Sequence, residues 1–248
     1  MPKFFVLPEK VRDNKILIDS DDVIHITRVL RMGMGDEILV CDSRGTDYEA
    51  KISEISDKSI ICDIISENKS QTEADIELTL YQGIPKAAKM DLIIQKTTEL
   101  GITRIVPVEM QRCVVKLENR KAEEKKACRW QKIAEEAAKQ SGRGKIPEIS
   151  MPISLKEAIE EMSSLDLSFV PYECEEQNLL KPLLQNNTEA KTAGFLIGPE
   201  GGFDISEIEL IKAKGIPSVT LGKRILRTET AGLAVAAMVM YEIGDINI

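Results

Sequence analysis

Three charged side chains near the end of the chain sit in or beside two unusual loops, and their types could do chemistry. Glu200 interrupts the glycine loop Gly198-Pro199-Glu200-Gly201-Gly202-Phe203. Arg227 and Glu229 close a second loop, Gly222-Lys223-Arg224-Ile225-Leu226-Arg227-Thr228-Glu229-Thr230. A guanidinium can stabilise an anion developing on a bound group, and a carboxylate can accept a proton from it. Each also has a plainer role open to it. A glutamate at a helix start is favoured by the helix dipole alone, and Arg227 can serve as its ion-pair partner.

The elements around these loops read as one α/β unit. A buried strand, Ala193 to Ile197, leads into the glycine loop, and a helix opens at Asp204, which forms a capping box with Glu207. A short strand, Pro217 to Leu221, leads into the second loop, and the last helix comes next with Thr228 or Thr230 as its N-cap. Loops leaving strand ends in an open sheet are the usual ligand position. Glycines there let a ligand approach the backbone closely. The pattern is neither a phosphate loop ending in Gly-Lys-Ser/Thr nor the Gly-x-Gly-x-x-Gly dinucleotide fingerprint. With no lysine or arginine inside the glycine loop, a neutral or zwitterionic adenosine derivative fits better than a polyphosphate.

Two domains are expected ahead of and around this unit. Residues 1 to 70 carry strands at Lys3–Leu7, Lys15–Ile18, Glu37–Cys41, Thr46–Ile52 and Lys58–Ile65, with turns rich in Asp, Ser and Gly, which suggests a small β-barrel. One helix interrupts them, capped by Ser20, with Val23, Ile26 and Leu30 on its inner face and an end at Gly33 or Gly35. Its polar face carries His25, Arg28 and Arg31, either a solvated surface or an RNA contact. The polar stretch Glu67 to Glu73 marks the boundary. Residues 74 to 248 then alternate strands (Ile76–Gln82, Thr103–Val108, Leu167–Tyr172) with helices. One helix has Met90, Ile93, Ile94 and Thr97 inward and stops at Gly101. Another, from about Asn119 to Ser141, buries Trp130, Ile133, Ala134, Ala137 and Ala138. That alternation predicts a mostly parallel sheet with helices on both faces.

Composition narrows the function classes. With 43% hydrophobic and 30% charged residues the 248-residue chain is an ordinary globular protein, and its net charge of -8 argues against coating nucleic acid non-specifically. Residues 112–145 oppose that sign, with eleven cations against five acids; a solvated helix face with i,i+4 pairs is the usual outcome of such a run, but the excess favours a phosphate-facing surface. Five cysteines without a close pair suit reduced thiols, and a lone histidine speaks against a zinc site. The N-terminal apolar run is too short for a signal peptide, and Ala231 to Met240 is about half a membrane span. A cytoplasmic protein, with no membrane and no metal, is expected.

The paired loops, Leu196 to Phe203 and Leu221 to Ala231, closely resemble those of the SPOUT class of S-adenosylmethionine-dependent RNA methyltransferases. Within it the chain is similar to the bacterial family that methylates ring N3 of a uridine in 16S ribosomal RNA. The likeness extends over His25-Ile26-Thr27-Arg28-Val29-Leu30-Arg31, Gln95 to Gly101, Gln111-Arg112-Cys113-Val114-Val115-Lys116, Arg129 to Ala134 and Gln140-Ser141-Gly142-Arg143. Lys3 stands where the family commonly has arginine, keeping the charge but losing bidentate geometry.

The resemblance implies a PUA-like barrel for RNA, a C-terminal α/β domain with a trefoil knot, and a homodimer acting on the small ribosomal subunit. It implies a donor site built from Leu196, Gly198, Gly201, Gly202, Leu221, Gly222, Ile225 and Leu226. Lys3, His25, Arg28, Arg31, Arg112 and Arg143 are then candidate RNA contacts, and Arg227 and Glu229 are candidate catalytic groups. The helix Ala231 to Met240 is apolar on nearly every face, so it lies either within the core or across a subunit interface. A related enzyme acting on transfer RNA, a non-catalytic RNA-binding protein and a nucleotide-dependent oxidoreductase are the competing readings.

Overall fold

Period-two alternation organises the first part of the chain, and period-3.6 helices between short apolar strands organise the rest. The computed structural model describes residues 3–86, 89–114 and 119–246. Met1 and Pro2 of the N-terminal run, Val115 and Lys116 of the expected middle motif, and Glu118 of the charge count lie outside the described residues. The chain divides into two compact units, one of residues 1–73 with 138–146 and one of residues 74–137 with 147–248.

The first unit holds β1 (Lys3–Phe5), β2 (Val11–Arg12), β3 (Lys15–Ile18), the short helix α1 (Asp22–Ile24), β4 (Glu37–Cys41), β5 (Thr46–Ile55) and β6 (Ile60–Lys69). The strands form one six-stranded sheet in the order β1-β4-β5-β6-β3-β2, and β1 pairs parallel with β4. Register shifts at Glu49/Ala50 and Ile52/Glu54 mark bulges, the usual device for coiling a sheet around its core. That core includes Phe4, Ile16, Ile38, Ala50 and Ile60. β6 runs on into residues expected to be the linker, because both faces of its end are exposed and leave no apolar period to read.

The expected helix at Ser20 is different in form. Its Ser20 hydroxyl does accept from the Asp22 N–H at 3.2 Å. After Ile24, however, the backbone winds as a π-turn over His25–Val29, with the Leu30 N–H donating to the His25 carbonyl at 2.9 Å. The extra residue per turn rotates every position after it. Val23 and Ile26 are buried as expected, whereas Leu30 is 39% exposed and Met32 packs on the core instead. Arg31, at φ 55°, ends the helix before either glycine.

The segment 138–146 is also part of this unit. Phe5, Cys41 and Ala138 pack together with Ile146. Contiguous sequence reading has no means of finding such an excursion.

The second unit is a parallel sheet with helices on both faces. Its elements are β7 (Glu77–Gly83), α2 (Lys89–Glu99), β8 (Arg104–Glu109), α3 (Arg120–Ser141, up to Ala137), β9 (Glu148–Ile149), β10 (Ile153–Ser154), α4 (Leu155–Met162), β11 (Leu167–Pro171), α5 (Leu180–Gln185), β12 (Thr192–Ile197), α6 (Ile205–Ala213), β13 (Ser218–Val219) and α7 (Thr228–Ile243). The order is β10-β8-β7-β12-β11-β13, with β9 also on β8. Alternate residues of β12 feed opposite layers: Ala193, Phe195 and Ile197 pack with Val235 and Val239 of α7, and Leu196 packs with Ile208 and Ile211 of α6. α2 stops as its sequence requires, with Gly101 at φ 96° and the Ile102 N–H returning to the Thr97 carbonyl. Its inward residues Met90, Ile93, Ile94 and Thr97 are all buried. One face of α7 is in the core, while Met238 and Tyr241 remain 42% and 59% exposed. Among the described residues no helix is long and apolar enough to cross a membrane.

Candidate active site

Because the chain steps from β7 outward to β8 and later returns to the other side of β7 with β12, the strand ends near that switch are free to frame a crevice. A cleft of about 1150 Å³ lies there, at the C-terminal ends of β11, β12 and β13. Its walls are the glycine loop, residues 220–228, and the segment 171–176 that leaves β11. That volume slightly exceeds the ordinary range for a small-ligand site.

The glycine loop is held by packing on every side. Gly202 takes φ 67°, and a Cβ there would fall 2.5 Å from Glu173 Oε1. A Cβ on Gly201 would fall 2.9 Å from the Arg112 Cβ and 3.3 Å from its carbonyl oxygen. Gly83, at the end of β7, leaves room for Pro199, whose nitrogen and Cδ lie 2.7 Å from its would-be Cβ. The loop then passes into α6 through the capping box expected of Asp204 and Glu207.

Thr228 joins the two loops. Its hydroxyl donates to the Gly198 carbonyl at 2.6 Å and accepts from Gln82 Nε2 at 2.9 Å. The expected N-cap role of Thr228 or Thr230 is therefore not what is found. Arg227 occupies the N-cap position without a side-chain capping bond, and Thr228 is buried as a cross-brace.

Lys89, which no sequence pattern singles out, makes a second brace. Its ammonium lies 3.2 Å from Glu200 Oε1 and 3.2 Å from Glu229 Oε2, so it spans the first loop and the first turn of α7. The Lys86 N–H also donates to Glu200 at 3.0 Å. Burial is the largest influence on Glu200 and raises its pKa. The N–H groups of Glu200 and Lys86 and the Lys89 ammonium outweigh it and hold the carboxyl below its ordinary value. Glu229 is lowered first by its own N–H, then by Lys89 and Arg227, against burial. The only sequence signal for Lys89 is a cation at the start of a helix read for its inner face, too common a pattern to mark a functional residue.

Most of the expected donor-site residues meet at this cleft: Gly198, Gly201, Gly202, Leu221, Gly222, Ile225 and Leu226 all line it. Leu196 does not. As an inward residue of β12 it is fully buried beneath the loop. Ile197 and Ala231 add apolar wall, and Phe203 packs edge-on against Tyr172, ring centres 6.0 Å apart. Arg227 also lines the cleft and is exposed.

The candidate RNA contacts divide. His25, Arg28 and Arg31 are exposed on the first unit. Lys3 is not free for RNA: its side chain is 10% exposed, pairs with Asp47 at 2.8 Å and donates to the Gly142 carbonyl. Arg143 is 4% exposed and pairs with Glu73 at 2.6 Å, the same carboxylate accepting from the Gly144 N–H. Arg112 turns toward the glycine loop, donating to the Gly201 carbonyl at 3.1 Å and to Asp204 at 3.3 Å. All three charges answer an internal partner invisible in sequence. Part of the cationic excess over 112–145 is likewise taken up in pairs, notably the bidentate bond of Arg129 to Asp91 at 2.7 Å, while Lys121, Lys125 and Lys132 stay exposed.

Fold and cleft together define a class: a parallel α/β domain with a paired-loop ligand cleft, on a chain that also carries a small β unit. Comparison with known proteins makes the class specific. Residues 72–240 match the model of an RNA methyltransferase domain, and residues 18–65 match an RNA methyltransferase PUA domain. The chain belongs to this RNA methyltransferase family. It is 33% identical over 229 residues to the ribosomal RNA small subunit methyltransferase E of Bacillus subtilis, covering 91% of this chain and 89% of that protein. To its counterpart from Aquifex aeolicus it is 34% identical over 233 residues, covering 94% and 96%. Among solved structures it resembles the Neisseria gonorrhoeae enzyme of that name bound to S-adenosyl methionine, with 31% identity, a TM-score of 0.84 and 99% of both chains covered.

Proposed function

We propose that this protein transfers the methyl group of S-adenosylmethionine to 16S ribosomal RNA of the small ribosomal subunit, at ring N3 of a uridine. The observation that carries the reading is the cleft itself, whose apolar patch (Ile197, Leu221, Leu226) and exposed glycine-loop backbone suit an adenosine with a zwitterionic tail. The donor supplies an electrophilic methyl carbon on a sulfonium. The chain's own groups must orient the base and stabilise the charge that the loss of one proton leaves on it.

Neutral uracil keeps a hydrogen on N3. As that hydrogen departs as a proton, negative charge spreads over the exocyclic oxygens O2 and O4, and it is discharged when N3 bonds to the methyl carbon and the sulfur leaves with its bonding pair. Arg227 lines the cleft and is exposed, which supports a role for its guanidinium in stabilising that charge. Glu229 suits the proton less well than its position suggested. A catalytic base works best with a pKa near the working pH, and Glu229 is held below the ordinary carboxylate value and engaged by Lys89. Its role here is to anchor the loops with Lys89, and the proton leaves to water.

The same reading includes the trefoil knot, which rests on the resemblance of the paired loops, and action in the cytoplasm. It includes a homodimer, supported by Leu92 of α2 and Met238 and Tyr241 of α7, which leave 44%, 42% and 59% of their surface exposed. The test is methyl transfer from labelled donor to small subunits lacking the modification. Arg227→Ala should bind donor normally and lose roughly 100-fold or more in turnover. Turnover retained with donor bound would remove Arg227 from the chemistry.

A further inference from the structure

The cleft carries more charge than the donor requires. Its lining holds Glu173, Glu175, Glu176 and Glu200 together with Lys89, Lys223, Arg224 and Arg227, and Lys89 is taken up by Glu200 and Glu229. Glu175 is committed to the loop itself, accepting from Ser218 at 2.6 Å and from the Gln177 N–H at 3.0 Å. Lys223 and Arg224 are exposed, and among the described residues their side chains make no hydrogen bond or ion pair. Between them and Arg227, Ile225 stands 85% exposed. A surface turn in a chain of net charge -8 has carboxylates within easy reach, as Lys89, Arg112 and Lys214 demonstrate by pairing. Two unpaired cations in the lining of the cleft, with an aliphatic side chain held out in water beside them, constitute a surface prepared for a polyanion with apolar faces.

We propose that Lys223 and Arg224 form a phosphate-contacting rim that receives the backbone of single-stranded RNA next to the nucleotide presented to Arg227. The inference rests on the RNA methyltransferase reading above and adds a location to it. Lys223 and Arg227 are four residues apart, so their Cα atoms lie at most about 14 Å from each other. The rim therefore meets phosphates close to the reacting base. Ile225 offers its side chain to a base or ribose face. This rim supplies contacts that the buried Lys3 and Arg143 side chains do not offer.

The test uses the full chain and transcribed small-subunit ribosomal RNA, with affinity measured over a series of potassium chloride concentrations. Each lost phosphate contact on a single strand lowers the slope of log affinity against log salt by about 0.7. The double variant Lys223→Ala/Arg224→Ala should therefore give a slope shallower by roughly 1.4. Its S-adenosylmethionine affinity by calorimetry should stay within about twofold, and Lys223→Arg/Arg224→Lys should keep the wild-type slope. An unchanged slope in the alanine variant would overturn the rim. A matching loss of donor affinity would also overturn it, by making these residues part of the donor site. Wild-type protein that bound neither RNA nor donor would sink the parent reading and the rim with it.

Discussion

Replacing Thr228 with valine keeps the shape of the side chain and removes its hydroxyl, which is the direct link between the two loops. In the native structure that hydroxyl donates to the Gly198 carbonyl at 2.6 Å and accepts from Gln82 Nε2 at 2.9 Å, and Thr228 is 6% exposed. Gln82 keeps its bond to the Gly83 carbonyl at 3.0 Å, so one amide hydrogen and one carbonyl lose their partners. Each buried polar group left unsatisfied costs about 1–3 kcal/mol. Two such groups give about 2–6 kcal/mol, and the low end applies because the loops border a cleft that water can enter. For a unit of this size, about 2 kcal/mol lowers the melting temperature by roughly 4–8 °C. Thr230 is exposed, so Thr230→Val is the matched control and should fall within about 0.5 kcal/mol of wild type. Calorimetric melting of both variants, then donor titration, is the assay. Equal melting temperatures for Thr228→Val and Thr230→Val would refute the brace.

Lys89→Met should lower turnover roughly 10–100-fold through misplacement of the loops, while Lys89→Arg keeps most of it. Single-turnover assays check this, and equal rates for the two variants would contradict it. Gly201→Val should abolish measurable donor binding, because its side chain meets the Arg112 backbone and Cβ within 3.3 Å; calorimetry showing wild-type affinity would leave the loop packing without consequence. Glu175 is held at about 2, against an ordinary 4.5, first by the Ser218 hydroxyl and then by the Gln177 N–H, with burial opposing. A lowered folded-state value stabilises fully above the unfolded value and fades as pH falls through the folded one. The melting-temperature gap between wild type and Glu175→Gln should thus be open at neutral pH and close between about pH 4.5 and 2; a gap constant with pH would contradict the assignment.

Features that depend on local pattern were legible in the sequence. Met90, Ile93, Ile94 and Thr97 declared their helix and Gly101 its end, and Asp204 with Glu207 declared the start of α6, because each signal lies within a turn or two of its effect. The pairing of the two loops was legible because glycines and charges cluster beside strand ends. Long-range pairing was not. Glu73 claims Arg143 across seventy residues and Asp47 claims Lys3, so two cations that looked available are buried in pairs, while Arg112 folds back on the glycine loop and stays partly exposed. The π-turn at His25–Val29 has no compositional mark, and its extra residue moves Leu30 off the inner face and Met32 toward it. Lys89 escapes sequence reading for the same reason as Thr228. Each bridges segments whose meeting is a property of the fold.

The most direct test of the central claim is mass mapping of small-subunit ribosomal RNA after incubation of unmodified subunits with this protein and S-adenosylmethionine. The account predicts one added methyl group on ring N3 of a single uridine, absent when Arg227→Ala replaces the wild type. A methyl group on a ribose hydroxyl or on another base, or none under conditions where the donor binds, would contradict it.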